Sequence, residues 1–476
     1  MGSRSINLFF KKCSDYPLSH IVFFVFTFLR GFFQVRYLLI VLFMCVSSST
    51  VCLGSEHVIT PVLAILLNGG AAGGAGWGAN PVDDSQRPER AWLDQFNGIT
   101  PVSVTTIDAA LQNCTPEAYC VLEVDQLELT DTVYLNRPKT KIIGKAGNKI
   151  VFSGDYGGGG AFIQIEDNAS EIVLQGLNLD GKDQNYNRDL YGIIVEGENI
   201  NKIAVIDCEI HHIYSNDNAH AIAVYGAGAT EDSAIQNVII EDNNIHDMHT
   251  GTSESVAING NVKHWEIVRN QISHVNNIAI GMIGGEGISP VQIIDGRTFP
   301  GTLDAARYGF VEQNSVIDMS TVSNPGYGNA HSWAGGIYVD GARDINITGN
   351  SVDSSEWGYD IGVENCVTPN NILLENNVAA NSYYGDLLIG AYAHIGYNED
   401  STINCNPTAS SDENEGHGYV ENVTVKANQF NTASPSVNSV EFSYRLRQSV
   451  IIHPGVTAQN PDGGVTGDEN SFRITE

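Results

Sequence analysis

Between residues 121 and 455 apolar and polar positions alternate in short runs broken by Gly, Asn and Asp, and the alternation never gives way to helical spacing. Successive side chains of a strand point to opposite faces, so such runs predict strands with one buried face. The runs also recur as two halves of a unit. An Asn-bearing half returns as IAVIDCEIHH from Ile203, VIIEDNNIHD from Val238, WEIVRNQISH from Trp265, GFVEQNSVID from Gly309, INITGNSVDS from Ile345, ILLENNVAAN from Ile372 and VTVKANQFNT from Val423. A Gly-bearing half returns as GIIVEG from Gly192, AIAVYG from Ala221, SVAING from Ser255, IAIGMIG from Ile278 and DLLIGAY from Asp386, with GIYVDG from Gly336 and DIGVEN from Asp360 between the last two. Irregular repeats of strand, turn, strand with no helix between them predict an all-β fold, a right-handed parallel β-helix or β-solenoid, over 99–455. Longer insertions at 285–306, 320–334 and 393–418 are placed to wall a cleft.

The ends read differently. Ile107, Ala110 and Leu111 have helical spacing, and a short helix here would cap the edge that a solenoid's first coil leaves open. Residues 55–98 carry the tract NGGAAGGAGWGAN and the polar DDSQRPER, and read as a Gly/Ala-rich linker; 456–476 read as a C-terminal tail. Residues 1–54 combine Arg4, Lys11, Lys12, Arg30 and Arg36 with apolar runs and a small-residue exit, the pattern of a signal or leader segment. Arg30 and Arg36 interrupt the apolar stretch below the roughly 20 residues that a spanning helix needs, so export to the medium, periplasm or cell surface is expected, without stable membrane insertion after processing.

The candidate chemistry lies in residues 333–377. If 336–341 and 360–365 stack as equivalent strands, Ile337, Val339, Ile361 and Val363 point inward while Asp340 and Glu364 point outward on neighbouring coils. Parallel strands lie about 4.8 Å apart, which would set the two carboxyls near the roughly 5–5.5 Å of a retaining glycosidase. A pair of solvated surface acids is the plainer alternative. The same outward column is expected to carry Glu196, Tyr225, Asn259, Gly281 and Gly390. Glu286 stands beyond its strand within reach of a cleft. His331, Trp333, Tyr338, Trp357 and Tyr392 are candidates to bind or stack on sugar rings. Asn244, Asn270, Asn314, Asn350 and Asn377 recur near strand ends and read as a structural ladder, and His211, His212, His246 and His274 as turn residues.

GGIYVDGARDINITGN followed by YDIGVEN resembles the strand pair of bacterial β-helix glycoside hydrolases of the β-xylosidase type, within the wider group of right-handed parallel β-helix proteins that act on carbohydrates. That resemblance implies Asp340 as nucleophile and Glu364 as general acid/base. Gly341 stands where those xylosidases tend to carry a Trp, which leaves the sugar open.

Charge narrows the partners. The chain has a formal net charge of −31; without 1–54 it keeps 19 basic and 54 acidic residues (24 less 5, 55 less 1), or −35. Nucleic acid is thereby disfavoured, and a polyanionic glycan would need calcium or high salt to approach. A polysaccharide or oligosaccharide substrate remains, with no cofactor required and calcium possible. Three functions stay in play: a retaining glycoside hydrolase; a polysaccharide lyase, for which Arg307, Arg343 and Arg445 are the bases to test; and a non-catalytic surface or adhesion module. Of the cysteines, Cys114 with Cys120 and Cys366 with Cys405 are plausible disulfides in an exported chain, and Cys208 reads as core. No Cys/His grouping has metal-ligand spacing.

Overall fold

The computed structural model describes residues 79–153, 160–186, 188–294, 297–391, 418–432, 439–442, 446–452, 457–458 and 472–474. The chain divides into Met1–Gly69 and Gly70–Glu476, and everything described belongs to the second unit. The leader, Tyr392, Cys405, Arg445 and nearly all of the 393–418 insertion lie outside the described residues.

The second unit is a right-handed parallel β-helix. Three parallel ladders run its length. One climbs from Val102–Ser103 through Cys120–Leu129, Val262–Val268 and Arg307–Glu312 to Phe472–Ile474. A second, which branches from the long strand Thr140–Phe152, includes Asn178–Asp180, Glu209–His211 and Asn244–Met248. The third contains Leu190–Gly197, Ala219–Gly226, Val256–Gly260, Ile280–Ile283, Gly335–Asp340, Trp357–Val363 and Gly385–Ala391. The strands Thr457–Ala458 and Phe472–Ile474 extend the first two ladders, so the stretch expected to be a tail carries on the solenoid beyond 455.

Register stacks like on like inside. In the third ladder Ile193, Ile222, Val256, Ile280, Ile337, Tyr359 and Leu387 stand in one column, and Val195, Val224, Ile258, Met282, Val339, Ile361 and Ile389 in the next, all buried. Burial at about 25 cal/mol per Å² of apolar surface is the dominant attraction between coils. The asparagine ladder is real but its first member is Asn243, not Asn244, which is exposed. Nδ2 of Asn243, Asn270, Asn314, Asn350 and Asn377 donates to Oδ1 of the next member, ending on Asn428, at 2.8–3.0 Å. Each Nδ2 also reaches a main-chain carbonyl of the preceding coil, as Asn314 does to Ile267 at 2.8 Å, so buried amides are paired in both directions.

The helix Ile107–Gln112 buries Ile107 and Ala110 against the first coil. The described part of the expected linker, 79–98, is instead a strap lying along the first ladder. Ala79 N–H donates to Thr424 Oγ1 at 2.7 Å and Val82 N–H to Asn346 Oδ1 at 2.9 Å. Farther along, Arg87 and Arg90 pair with Glu266, and Trp92 and Phe96 pack on Val121, Val173, Ala204 and Ile239. The outward apolar residues of that ladder thereby gain a cover. Cys114 and Cys120 are bridged and Cys208 is free and buried. Cys366 is disulfide-bonded, and the Cys405 proposed for it lies outside the described residues. No helix among the described residues is long and apolar enough to cross a membrane.

Candidate active site

The expected pairing of Asp340 with Glu364 needs a correction of register. Ile337 stands beside Tyr359, Val339 beside Ile361 and Asp340 beside Gly362, so Glu364 lies two residues further along, past the end of its strand. A slip of two keeps every residue on its face, which is why the alternation looked right, but the 4.8 Å argument for a retaining pair no longer follows from register. The two residues meet all the same. The Glu364 N–H donates to Asp340 Oδ1 at 2.8 Å, and the Tyr338 hydroxyl donates to Glu364 Oε1 at 3.3 Å.

The true outward neighbours rearrange the cast. Gly281, Tyr338 and Asp360 share one row with Ala257, while Glu196, Tyr225 and Asn259 share another, so Gly281 leaves the column it was expected to join. Small residues in the first row leave room above them. A Cβ at Gly281 would stand 2.6 Å from Glu254 Cγ, so its absence is what lets the Glu254 side chain lie over this row. From the 285–306 insertion comes Glu286, whose Oε2 accepts from Asn259 Nδ2 at 2.7 Å. The 320–334 insertion brings Tyr327, whose hydroxyl accepts from Asn277 Nδ2 at 3.2 Å and whose ionisation is opposed by burial and by the charges of Glu364 and Glu254.

Glu254, Glu286, Asp340, Asp360 and Glu364 therefore act on one another. Burial pushes Asp340 well above the usual carboxylate range, and the charges of Glu364 and Glu286 push it further; the Glu364 N–H pulls the other way. Asp360 is raised by burial and then by Glu364, and its Oδ1 is buried without a hydrogen-bond partner. Glu254 is pushed up to about 8 by burial, then by Glu286 and Glu364. Burial lowers His220 to about 4, so it stands neutral at pH 7 between the Tyr225 hydroxyl, 2.9 Å from Nε2, and Glu254, 4.0 Å from Nδ1. Glu364 alone of Asp340, Asp360 and itself is exposed. Asp340 and Asp360, buried and pushed toward their protonated forms, thus stand beside the solvent-exposed Glu364, and such unequal surroundings are what separates an acid from a base.

An aromatic platform begins on the same strand as Asp360. Trp357 is buried beneath Trp333 and Tyr384, with ring centroids 5.9 and 6.1 Å away, while Trp333 and Tyr383 are 54 % and 51 % exposed. His331 stacks on Tyr383 at 3.5 Å and is fixed by its Nδ1 contact to buried Glu356 at 2.8 Å. Exposed rings held by such contacts offer a rigid face for a sugar. Of the candidates, Glu286, Tyr338 and Asn259 join the carboxyls, His331 and Trp333 the platform, Trp357 supports it from below, and Tyr225 reaches the site through His220. Sequence reasoning passed over Glu254, Asp360, His220, Tyr327, Tyr383 and Tyr384. Asp360 had a signal, since it alternates with Ile361 and Val363; Glu254 and the tyrosines are brought in by register and loop packing.

No family model matches the chain. A stretch of 235 residues, 48 % of the chain, is 34 % identical to the uncharacterized protein YwoF of Bacillus subtilis (strain 168), so the match spans about half the length of that relative, 46 %. Among solved structures, the endo-xylogalacturonan hydrolase of Aspergillus tubingensis has a TM-score of 0.48 at 12 % identity, over 79 % of this chain and 98 % of its own. The A-module of the mannuronan C-5 epimerase AlgE4 of Azotobacter vinelandii has 0.47 at 9 %, over 81 % and 99 %. Likeness at this level assigns no activity.

Proposed function

We propose that this protein is a glycoside hydrolase acting on a neutral polysaccharide or oligosaccharide, with Asp340 and Glu364 as its working carboxyls. The observation that carries the reading is their inequality: the Asp340 carboxyl, held by the main-chain N–H of Glu364, is buried and driven toward its protonated form, whereas Glu364 is exposed, and an open aromatic platform stands at the other end of the strand Trp357–Val363. Glycoside hydrolysis needs this combination, one group that holds a proton at neutral pH and one that does not. The roles then reverse those implied by the family resemblance. Asp340 protonates the glycosidic oxygen as the bond to the anomeric carbon breaks. Glu364, steadied by the Tyr338 hydroxyl, attacks that carbon, and Asp340 as its conjugate base next deprotonates the water that frees the sugar. Trp333 and Tyr383 hold the chain of sugars by stacking, and no metal takes part in these steps.

Lyase chemistry fits less well. Arg307 is buried against Glu231 and Asn261, and Arg343 is paired with Asp344, both on the first ladder and away from the carboxyl face. The strong acidity also disfavours a uronate polymer.

The test is a screen of purified protein on neutral and acidic glycans that follows both reducing ends and unsaturated ends, with Asp340→Ala and Glu364→Ala alongside. Reducing ends from a neutral glycan, lost in both variants, are expected. On an activated aryl glycoside azide should revive Asp340→Ala with a product of retained configuration and Glu364→Ala with an inverted one. Unsaturated ends would establish elimination instead, binding without turnover would establish an adhesion module, and swapped azide products would return the roles to the family order.

A further inference from the structure

On the second ladder, away from the carboxyl face, three side chains converge that the reading above does not use. Asp180 and His211 are register partners on adjacent strands, and His212 follows in the left-handed region at φ +55°, which turns its side chain toward that of His211 rather than away. His211 Nδ1 and His212 Nδ1 are 2.7 Å apart, and Asp180 Oδ1 lies 3.9 Å from the first and 3.5 Å from the second. Ligands bound at 2.0–2.1 Å in a tetrahedron stand about 3.3 Å from one another, close to the mean of these separations.

Hydrogen bonding around the trio prepares it as a ligand set. Asn178 Nδ2 donates to Glu209 Oε2, which fixes its Oδ1 as the atom facing His211 Nε2 at 3.1 Å. That oxygen only accepts, so Nε2 carries the proton and the Nδ1 lone pair is left aimed at His212 and Asp180; an outer partner setting the tautomer is the usual support of a metal-binding histidine. Asp180 is held in turn by Lys149 Nζ on Oδ2 at 2.6 Å and by the Lys182 N–H on Oδ1 at 2.8 Å. Asp180 and His211 are buried, whereas half-buried His212 lines a cleft of about 370 Å³ together with Asp183, Asp247, His249, His274 and Asp318. The cleft gives an ion a way in and water a place to complete its coordination. Among the described residues this is the one group in which three such ligand atoms lie within 4.8 Å of one another.

We propose that Asp180, His211 and His212 form a three-ligand site for a borderline divalent transition metal of the zinc type, with its remaining position open to the cleft. Two imidazoles and one carboxylate suit Zn²⁺, Ni²⁺ or Co²⁺ and disfavour Ca²⁺, which needs six or more oxygen ligands. Binding there would tie two successive coils together at a point that the Asn ladder and the strap do not reach.

The experiment titrates Zn²⁺ into the metal-stripped protein by calorimetry, in excess Ca²⁺, and repeats it with His212→Asn and Asp180→Asn. Asn tolerates the left-handed conformation at 212, and circular dichroism of the metal-free proteins checks that each variant is folded. One equivalent bound with a Kd of about 1 μM or tighter, weakened at least 100-fold in both variants, is expected. The melting temperature should rise with Zn²⁺ in the parent alone. Absence of saturable binding, binding undiminished in the variants, or displacement by Ca²⁺ would overturn the assignment. Should either variant misfold, the visible spectrum of the Co²⁺-loaded parent decides, since the spectrum of hexaaqua Co²⁺ alone would overturn it too.

Discussion

Glu254 shows how a single side chain is set by what its neighbours lack. The missing Cβ at Gly281 leaves it a place, and that place is largely screened from solvent, with the side chain 15 % exposed, and shared with Glu286 and Glu364, so its proton is held up to about 8 against an ordinary 4.5. In the unfolded chain the same group releases its proton in the ordinary range. As pH rises from 4.5 to about 8 the folded state therefore binds more protons than the unfolded state, and stability falls through that window before levelling off. Glu254→Gln carries no such proton. Its stability relative to the parent should improve steadily from pH 5 to about 8 and then stay constant, as read from denaturant midpoints at a series of pH values. A difference that does not vary with pH would mean that Glu254 is ionised in the fold like any surface acid.

At the scale of the element, the corner between strands is where this solenoid spends its polar groups. The repeated Asn turns the chain and pairs the buried amides of the coils before and after it, so it cannot be replaced by an apolar residue of similar size without leaving main-chain groups unpaired. Asn314 illustrates the count: its Oδ1 accepts from the Asn270 N–H at 2.9 Å and from Asn270 Nδ2 at 3.0 Å, and its Nδ2 donates to Ile267 and Asn350. Each buried group left unsatisfied costs about 1–3 kcal/mol, so Asn314→Ala should lower stability by at least 2 kcal/mol, roughly. Asn244→Ala, one position off the ladder and exposed, should stay within about 0.5 kcal/mol of the parent in the same unfolding assay. Equal costs at the two positions would refute the ladder as a source of stability.

At the scale of the whole described unit, the strap at 79–98 braces coils far apart in sequence. Its two arginines neutralise a carboxylate that the first ladder cannot otherwise keep: Glu266 is 2 % exposed and is met by Arg87, which also pairs with Glu312 at 2.6 Å, and by Arg90, which also pairs with Glu241 at 2.6 Å. A buried charge stripped of its partners is costly, so Arg87→Ala with Arg90→Ala should destabilise by about 3–5 kcal/mol. Adding Glu266→Gln should recover much of that loss, because the stranded charge is then gone. No recovery in the triple variant, measured by chemical denaturation, would place the strap's contribution in packing of Trp92 and Phe96 instead.

How much of this was legible in the chain follows from which quantities are local. Alternation within a strand is a property of five or six consecutive residues, so the period of two, the coil repeat, the capping helix and the outward aim of Asp340, Glu364, Tyr338 and Asn259 could all be read directly. Register between coils is collective. It depends on how many residues each corner absorbs, and a shift of two leaves every inward and outward assignment unchanged. That is why Asp340 faces Gly362 rather than Glu364, and why Gly281 stands beside Tyr338. The ladder's start at Asn243 rather than Asn244 was a one-residue choice at a corner, where period-two alternation lapses. The strap, the burial that separates Asp340 from Glu364, and the meeting of Asp180 with His211 and His212 needed the coils to stack first, because each joins residues whose only relation is through space.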